Sequence, residues 1–226
     1  MQNFYRFPHT PHLACLVDQL PRDDKMLSSA EALDLLETEV WVEEKIDGAN
    51  LGISLGSDCV LLCQNRGHYL TEPYKGQFSR LNNWLACHEA GLRSVLTPQL
   101  IVFGEWCAAR HSLDYDSLPD WFLLFDVYDR QENRFWSVRR RNELALQAGL
   151  SCVPFITSGK ITMKVLEQLV QTGKSSYRAG GMEGIVIRRD SKDWCEQRAK
   201  LVRADFVQNI EGHWSRRLLE WNRLDG

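Results

Sequence analysis

Hydrophobic and polar residues alternate with a period of two on both sides of an Asp-Gly dipeptide, Asp47-Gly48. The alternation covers residues 40–43 before the dipeptide and 51–55 after it. Such alternation predicts a half-buried strand on each side. Asp-Gly favours a tight hairpin turn, because glycine tolerates the positive φ that these turns need. The pattern therefore predicts a hairpin, with Lys45 near the end of its first strand.

Other stretches show either the strand period or helical spacing. Further strands are predicted over 60–64, 100–106, 121–128, 183–188 and 198–203. Helices are predicted over 31–37, 81–92, 139–148 and 161–171. A last helix is predicted to have Asp205 as its cap and to carry residues 206–221. Residues 4–21 are rich in proline and histidine and are interpreted as an irregular arm. No repeat or linker divides the sequence.

Composition and charge narrow the function classes. The formal net charge of −3 over 226 residues is not typical of a protein that binds nucleic acid through bulk positive charge, so any such contact must be a local patch. The seven cysteines form no C-x-x-C pair, and Cys59 and Cys63 are interpreted as core thiols. Neither a signal-peptide pattern nor an apolar run of transmembrane length is present. These features predict a soluble cytoplasmic protein.

Two charged residues are candidates for chemistry. Lys45 becomes a nucleophile if burial or neighbouring cations lower its pKa from the ordinary value of about 10.4. A surface hairpin with a solvated lysine would show the same pattern. Glu105 lies in an otherwise apolar strand, where a carboxylate is costly unless it is paired. A structural salt bridge would account for Glu105 equally well.

Five short elements, taken together and in order, carry a resemblance to a known superfamily. They resemble motifs I, III, IIIa, IV and V of the covalent nucleotidyltransferases, which include ATP-dependent DNA and RNA ligases and mRNA capping enzymes. The elements are Lys45-Ile46-Asp47-Gly48, Phe103-Gly104-Glu105-Trp106, Phe122-Leu123-Leu124-Phe125-Asp126-Val127-Tyr128, Glu183-Gly184-Ile185-Val186-Ile187 and Arg198-Ala199-Lys200-Leu201-Val202.

Two further stretches narrow the resemblance to one branch. The sequence Glu44-Lys45-Ile46-Asp47-Gly48-Ala49-Asn50 is similar to motif I of the RNA ligase 2-like branch. The arm Phe7-Pro8-His9-Thr10-Pro11-His12-Leu13 is similar to the start of small bacterial RNA ligases. The resemblance implies an α+β fold of antiparallel sheets flanked by helices, with the nucleotide in a groove between the sheets. It implies ATP-dependent joining of RNA ends through a lysyl-AMP intermediate.

The resemblance also implies roles in catalysis. Lys45 would attack the α-phosphate of ATP and hold AMP as a phosphoramidate. Asp47 would bind the ribose or orient the lysine through its turn. Lys200 would bind the α-phosphate, with Arg198 beside it.

Nucleotide and metal contacts follow from the same resemblance. Phe125 would stack on adenine, Glu44 would lie by the adenine amino group through its backbone carbonyl, and Arg66 would contact a nucleotide or end phosphate. Glu105 and Glu183 would be oxygen ligands, directly or through water, for Mg²⁺ or Mn²⁺.

The sequence departs from the superfamily pattern in two places. Motif V of ligases usually has two lysines one residue apart, and here Arg198 stands in the first place if Lys200 is the second. If Lys200 is the first, Val202 fills the second place and Arg203 substitutes. About twenty residues after the motif are too few for an OB or helical accessory domain. We therefore predict one adenylyltransferase domain over 1–226, which acts alone or with a partner that binds or heals ends.

Two alternative functions stay open on the sequence. One is a related enzyme, either a DNA nick ligase or a guanylyltransferase. The other is a module that kept the fold to bind nucleotides or RNA ends. The joint presence of Lys45, Glu105, Glu183 and Lys200 argues against the module.

Overall fold

The structure is a computed structural model, and it describes residues 3–16, 25–208 and 219–226. In these residues the strands are β1 (Val40–Lys45), β2 (Ala49–Leu55), β3 (Leu61–Gln64), β4 (Leu100–Trp106), β5 (Phe122–Asp129), β6 (Arg134–Phe135), β7 (Ser151–Cys152), β8 (Phe155–Gly159), β9 (Gly184–Asp190) and β10 (Cys195–Val202). The helices are α1 (Ser29–Leu36), α2 (Leu81–Val95), α3 (Val138–Ala148), α4 (Met163–Thr172) and α5 (Ala204–Gln208).

The chain forms two compact units, each built on one sheet. The four-strand unit comprises Pro8–Ile46 and Val153–Arg217, and its sheet has the order β10-β9-β1-β8. The six-strand unit comprises Met1–Phe7, Asp47–Cys152 and Leu218–Gly226, and its sheet has the order β3-β2-β4-β5-β6, with β7 beside β5. All strand pairs are antiparallel except β5 with β7. The predicted α+β class is confirmed.

Strand alternation places the core of the four-strand unit on one face of its sheet. Val40 and Val42 of β1 face this core, together with Ile185 and Ile187 of β9. Leu35 of α1 and Leu166 and Val170 of α4 complete it, all fully buried. The opposite face is left for polar side chains of the same strands.

The six-strand unit buries its sheet against two helices. The buried positions of β2, β4 and β5 pack against α2 and α3, with Trp84 and Trp106 in edge-to-face contact at 5.9 Å. α3 begins at its N-cap Ser137, whose hydroxyl accepts the Arg140 N–H, and ends at Gly149 with φ of 67°. Gly149 is thus the predicted end of this helix.

The hairpin predicted at Asp47-Gly48 is wrong. β1 pairs with β8 and β9, whereas β2 pairs with β3 and β4, so the two strands belong to different sheets. The φ of Gly48 is not in the left-handed region either. The turn residues instead bond to the chain near residues 105–115, and these distant partners override the local preference for a hairpin.

Two smaller predictions also need correction. Cys59 is exposed, with φ of 62°, at a turn in which its N–H donates to the Gly56 carbonyl, so it is not a core thiol; Cys63 is buried. Trp221 forms an isolated bridge with Ala109 and is not helical. Residues 209–218 of the last predicted helix, and residues 17–21 of the arm, lie outside the described residues.

The remaining predicted elements are confirmed to within a few residues, and the short strands β6, β7 and β8 were not predicted. None of the helices in the described residues is long and apolar enough to cross a membrane.

Candidate active site

Lys45, the last residue of β1, makes an ion pair with Glu183, which directly precedes β9. The Lys45 Nζ lies 2.6 Å from each Glu183 oxygen. The lysine side chain is 26% exposed and the glutamate side chain only 6%. The register explains the meeting, because Lys45 and Gly184 are cross-strand partners. A partly accessible amine is therefore held in place by a buried carboxylate.

Two more cations of the four-strand unit lie on β10. Arg198 and Lys200 are half-buried and alternate with the buried Ala199 and Leu201, so they occupy the face opposite the core. The arm fixes the backbone at this point: the Lys200 N–H donates to the Pro11 carbonyl at 2.8 Å, and its carbonyl accepts the Leu13 N–H. Arg198 and Lys200 of the predicted motif V thus lie on a strand that is hydrogen-bonded to β9 on one edge and to the arm on the other.

A buried ion pair that sequence reasoning missed lies on the same sheet. Arg188 Nε donates to Glu43 Oε2 at 2.9 Å, and both side chains are less than 5% exposed. Removal of one partner would leave an uncompensated buried charge, which costs about 3–5 kcal/mol. The pair therefore fixes β1 against β9 two residues before Lys45.

Glu44 has its side chain inside the four-strand unit. Its Oε2 accepts the Ser176 N–H at 2.9 Å, and its own N–H donates to the Pro154 carbonyl. The residue is 2% exposed, and no hydrogen-bond partner for its Oε1 occurs among the described residues. The carboxylate anchors the loop that precedes β9, while the contact of its backbone with adenine stays a prediction.

Asp47 is held within the six-strand unit by three hydrogen bonds. Its Oδ2 accepts the N–H groups of Ser112 and Leu113, each at 2.7 Å, and its own N–H donates to the Tyr115 hydroxyl at 2.9 Å. Sequence reasoning missed these three partners, because they lie more than sixty residues away and carry no motif of their own.

Gly48 connects the same turn to Glu105. Its N–H donates to Glu105 Oε1 at 3.0 Å, and Asn50 is the cross-strand partner of Glu105. A Cβ at position 48 would lie 2.6 Å from the Trp106 carbonyl oxygen. Glycine is therefore needed here for close approach of two backbones. The Glu105 side chain thus has a backbone N–H as one of its partners.

The two other predicted nucleotide contacts also lie in the six-strand unit. Phe125 is half-buried, with the Phe7 ring edge-on at 5.2 Å, and its carbonyl accepts a bond from Arg141. Arg66 is exposed in a turn in which Asn65 Oδ1 accepts the N–H groups of Gly67 and His68.

The predicted metal ligands are on separate units, Glu105 on the six-strand unit and Glu183 on the four-strand unit. Among the described residues, no group of three or more His, Cys, Asp or Glu side chains that could hold a metal ion occurs. Mg²⁺ is commonly held by only one or two carboxylates together with substrate phosphates. Each of the two glutamates has a nitrogen partner, the Gly48 N–H and the Lys45 amine respectively.

Comparison with known families identifies these elements. Residues 38–202, well over half of the chain, match the sequence model of the family described as RNA ligase. The chain belongs to the RNA ligase family. The matched residues include Lys45, Asp47, Glu105, Phe125, Glu183 and Lys200. A comparison with curated protein sequences finds no match.

Solved RNA ligase structures share the fold. A Naegleria gruberi RNA ligase mutant with ATP and Mn is 16% identical, with a TM-score of 0.66. The match covers 92% of this chain and 59% of that chain. An archaeal ATP-dependent RNA ligase is 21% identical, with a TM-score of 0.60. The match covers 89% of this chain and 49% of that chain. The Naegleria gruberi RNA ligase with PPi is 17% identical with a TM-score of 0.64, and the coverages are 91% and 64%. This RNA ligase family chain thus spans about half to two thirds of those proteins.

Proposed function

We propose that this chain is the adenylyltransferase domain of an ATP-dependent RNA ligase, with Lys45 as the nucleophile. The observation that carries the proposal is the Lys45–Glu183 pair, which holds a partly exposed amine at 2.6 Å from a carboxylate at the end of a family-matched strand. The membership of the chain in the RNA ligase family supports the substrate class.

The reaction would proceed in three successive displacements at phosphorus. First, Lys45 Nζ bonds to the α-phosphorus of ATP, the bond to the β-phosphate bridging oxygen breaks, and pyrophosphate and a proton leave. Second, the 5′-phosphate oxygen of an RNA end takes the adenylyl group, and the N–P bond breaks. Third, the 3′-hydroxyl of the other end attacks this phosphate and releases AMP.

The residues present suit a nucleoside triphosphate. Lys200 and Arg198 offer cations on the polar face of their sheet, and Phe125 offers a half-buried ring on which adenine would stack. Because Asp47 already accepts two backbone N–H groups, we propose that it orients the turn after Lys45; ribose binding is the alternative.

We propose Glu105 and Glu183 each as an oxygen ligand, direct or through water, for Mg²⁺ or Mn²⁺, since carboxylates are hard oxygen ligands. The solved Naegleria gruberi relative with ATP and Mn supports this choice of cofactors. When bound, the cation would neutralise charge on the phosphates and compete with the Lys45 ammonium for Glu183.

RNA ends with a 5′-phosphate and a 3′-hydroxyl are the proposed substrates, and an end-healing or RNA-binding protein is a proposed partner. We further propose that residues 1–226 act as one catalytic domain. A cytoplasmic location is proposed, because the seven cysteines are scattered and form no C-x-x-C pair.

Intact mass after incubation with ATP and Mg²⁺ tests the assignment. Wild type is expected to gain one AMP, Lys45→Ala none, and the exposed control Lys164→Ala the wild-type amount. The adduct should disappear on addition of 5′-phosphorylated RNA and persist with DNA. Loss on DNA alone would identify a DNA ligase, labelling by GTP alone a guanylyltransferase, and no label at all a binding module.

A further inference from the structure

Residues 220–225, here called the 220–225 segment, run beside the loop that follows β4, residues 107–118. Three hydrogen bonds join their backbones. The Arg110 N–H donates to the Glu220 carbonyl at 2.9 Å. The Arg223 N–H donates to the Tyr115 carbonyl at 2.9 Å, and the Leu118 N–H donates to the Arg223 carbonyl at 3.1 Å. The Arg80 guanidinium lies 4.2 Å from the centre of the Trp221 ring, which adds a cation–π contact. The segment lies after the residues that match the RNA ligase family, 38–202.

Asn222 makes the central contact of this segment and is 4% exposed. Its Oδ1 accepts the Tyr115 N–H at 2.9 Å, and its Nδ2 donates to the Cys107 carbonyl at 2.7 Å and to the Ala109 carbonyl at 3.3 Å. Its own N–H donates to the Ala108 carbonyl at 3.0 Å. One side chain therefore joins the start of the 107–118 loop to its middle.

The same loop holds the turn of motif I. Tyr115 accepts the Asp47 N–H through its hydroxyl, and Asp47 accepts the N–H groups of Ser112 and Leu113. Tyr115 is 2% exposed, so its ring has no freedom to follow a displaced turn. The hydrogen bonds thus run from Asn222 through Tyr115 to Asp47, two residues after Lys45 in the sequence.

We infer that Asn222 is a positioning residue for nucleotidyl transfer, which fixes the Asp47 turn by fixing the 107–118 loop. This inference rests on the proposed function, in which Asp47 orients the turn after the nucleophile. A buried amide whose oxygen and nitrogen both bond to backbone has few replacements, because any apolar side chain leaves those backbone groups unpaired.

Single-turnover formation of the AMP adduct measures the effect. Misplacement of a reacting group by about 1 Å costs up to about 100-fold in rate. We expect Asn222→Ala to lower the adduct rate at saturating ATP by about 10-fold or more, with a smaller change in the ATP concentration for half-maximal rate. Arg223→Ala is the matched control, because its side chain is exposed and its backbone bonds remain; its rate should equal that of wild type.

A double-mutant cycle separates positioning from general destabilisation. Tyr115→Phe removes the hydroxyl that accepts the Asp47 N–H and nothing else of the ring. If Asn222 acts through Tyr115, the double variant loses no more rate than the worse single variant. Additive losses, or an Asn222→Ala enzyme with the wild-type rate and only a lower melting temperature, would overturn the inference.

Amide hydrogen exchange gives a result that does not depend on activity. In Asn222→Ala the N–H groups of Ser112 and Leu113 should exchange faster than in wild type and in Arg223→Ala. Unchanged protection would overturn the inference even if wild type forms the adduct. Faster exchange in a protein that forms no adduct would retain the positioning of Asp47 and reject the proposed function.

If Asn222→Ala does not fold, Tyr115→Phe is subjected to the same two measurements, and unchanged rate and protection would overturn the inference.

Discussion

Glycine can be required at a position either for a positive φ or for close approach of two backbones, and Gly48 is required for close approach. The Asp-Gly pair suggests a turn that needs positive φ, but the structure uses the missing Cβ for contact with the Trp106 carbonyl. We expect Gly48→Ala to lower the free energy of unfolding by about 1–3 kcal/mol, as overpacking does. Gly67→Ala is the control, because a Cβ there meets nothing closer than 3.7 Å and its φ is not left-handed.

Urea denaturation of the two variants compares these costs. The control should lie within about 0.5 kcal/mol of wild type, as surface substitutions do. Equal stability of both variants would show that the backbones at Gly48 and Trp106 can move apart, and would remove the steric reason for this glycine.

The cysteines make a second prediction at the scale of single residues. Burial raises the pKa of the Cys63 thiol to about 12, and burial likewise raises the pKa of Cys107 well above its usual value. At pH 8 only about one Cys63 thiol in ten thousand is then ionised, and thiolates are the reactive form. Cys59 and Cys87 are exposed.

A thiol reagent at pH 8, followed by peptide mapping, should label Cys59 and Cys87 in the folded protein. Cys63 and Cys107 should react only after denaturant is added. Modification of Cys63 at the rate of Cys59 would contradict its burial.

Helix α1 shows that local sequence chemistry is sufficient where both partners are neighbours in the chain. Ser28 and Glu31 form a capping box: the Glu31 N–H bonds to the serine hydroxyl, and the Glu31 carboxylate accepts the Ser28 N–H at 2.8 Å. We expect Ser28→Ala to destabilise this helix by about 1 kcal/mol. Ser29→Ala, at the next position, is the matched control. Amide exchange within α1 measures the difference, and equal protection in both variants would disprove the cap.

The same capping box gives a pH dependence with a defined sign. The hydrogen bonds from Ser28 lower the pKa of Glu31. A lowered folded-state pKa stabilises the helix above the ordinary glutamate value of about 4.3, and this contribution is lost as pH falls through the lowered value. Protection of α1 should therefore decrease on acidification in wild type, and less so in Glu31→Gln.

At the scale of the whole molecule, the net charge of −3 limits how the proposed RNA substrate would bind. The proposed phosphate contacts are few and local, centred on Arg66, Arg198 and Lys200. Single-stranded RNA that contacts about 3 or 4 phosphates should show a slope of about −2 to −3 for log K against log salt. Fluorescence anisotropy over a salt series measures it. A slope steeper than about −5 would require a large basic surface that this composition does not provide.

Patterns along the sequence were sufficient to locate most strands and helices and the residues that are candidates for chemistry. Period-two alternation reports burial of one face, and it located β1, β2, β5, β9 and β10, whereas a nearly continuous apolar run located β4. The order of five short motifs resembles the covalent nucleotidyltransferases, and the residues around Lys45 resemble their RNA ligase 2-like branch.

Strand pairing and the contacts that hold the site residues depend instead on how distant segments pack. Alternation says nothing about the partner strand, which is why β1 and β2 were predicted as a hairpin and are found in separate sheets. Asp47 and Ser112 are 65 residues apart, and Tyr115 and Asn222 are 107 apart. Hydrogen bonds of this kind form only after distant segments pack together, so no local pattern in the sequence can indicate them.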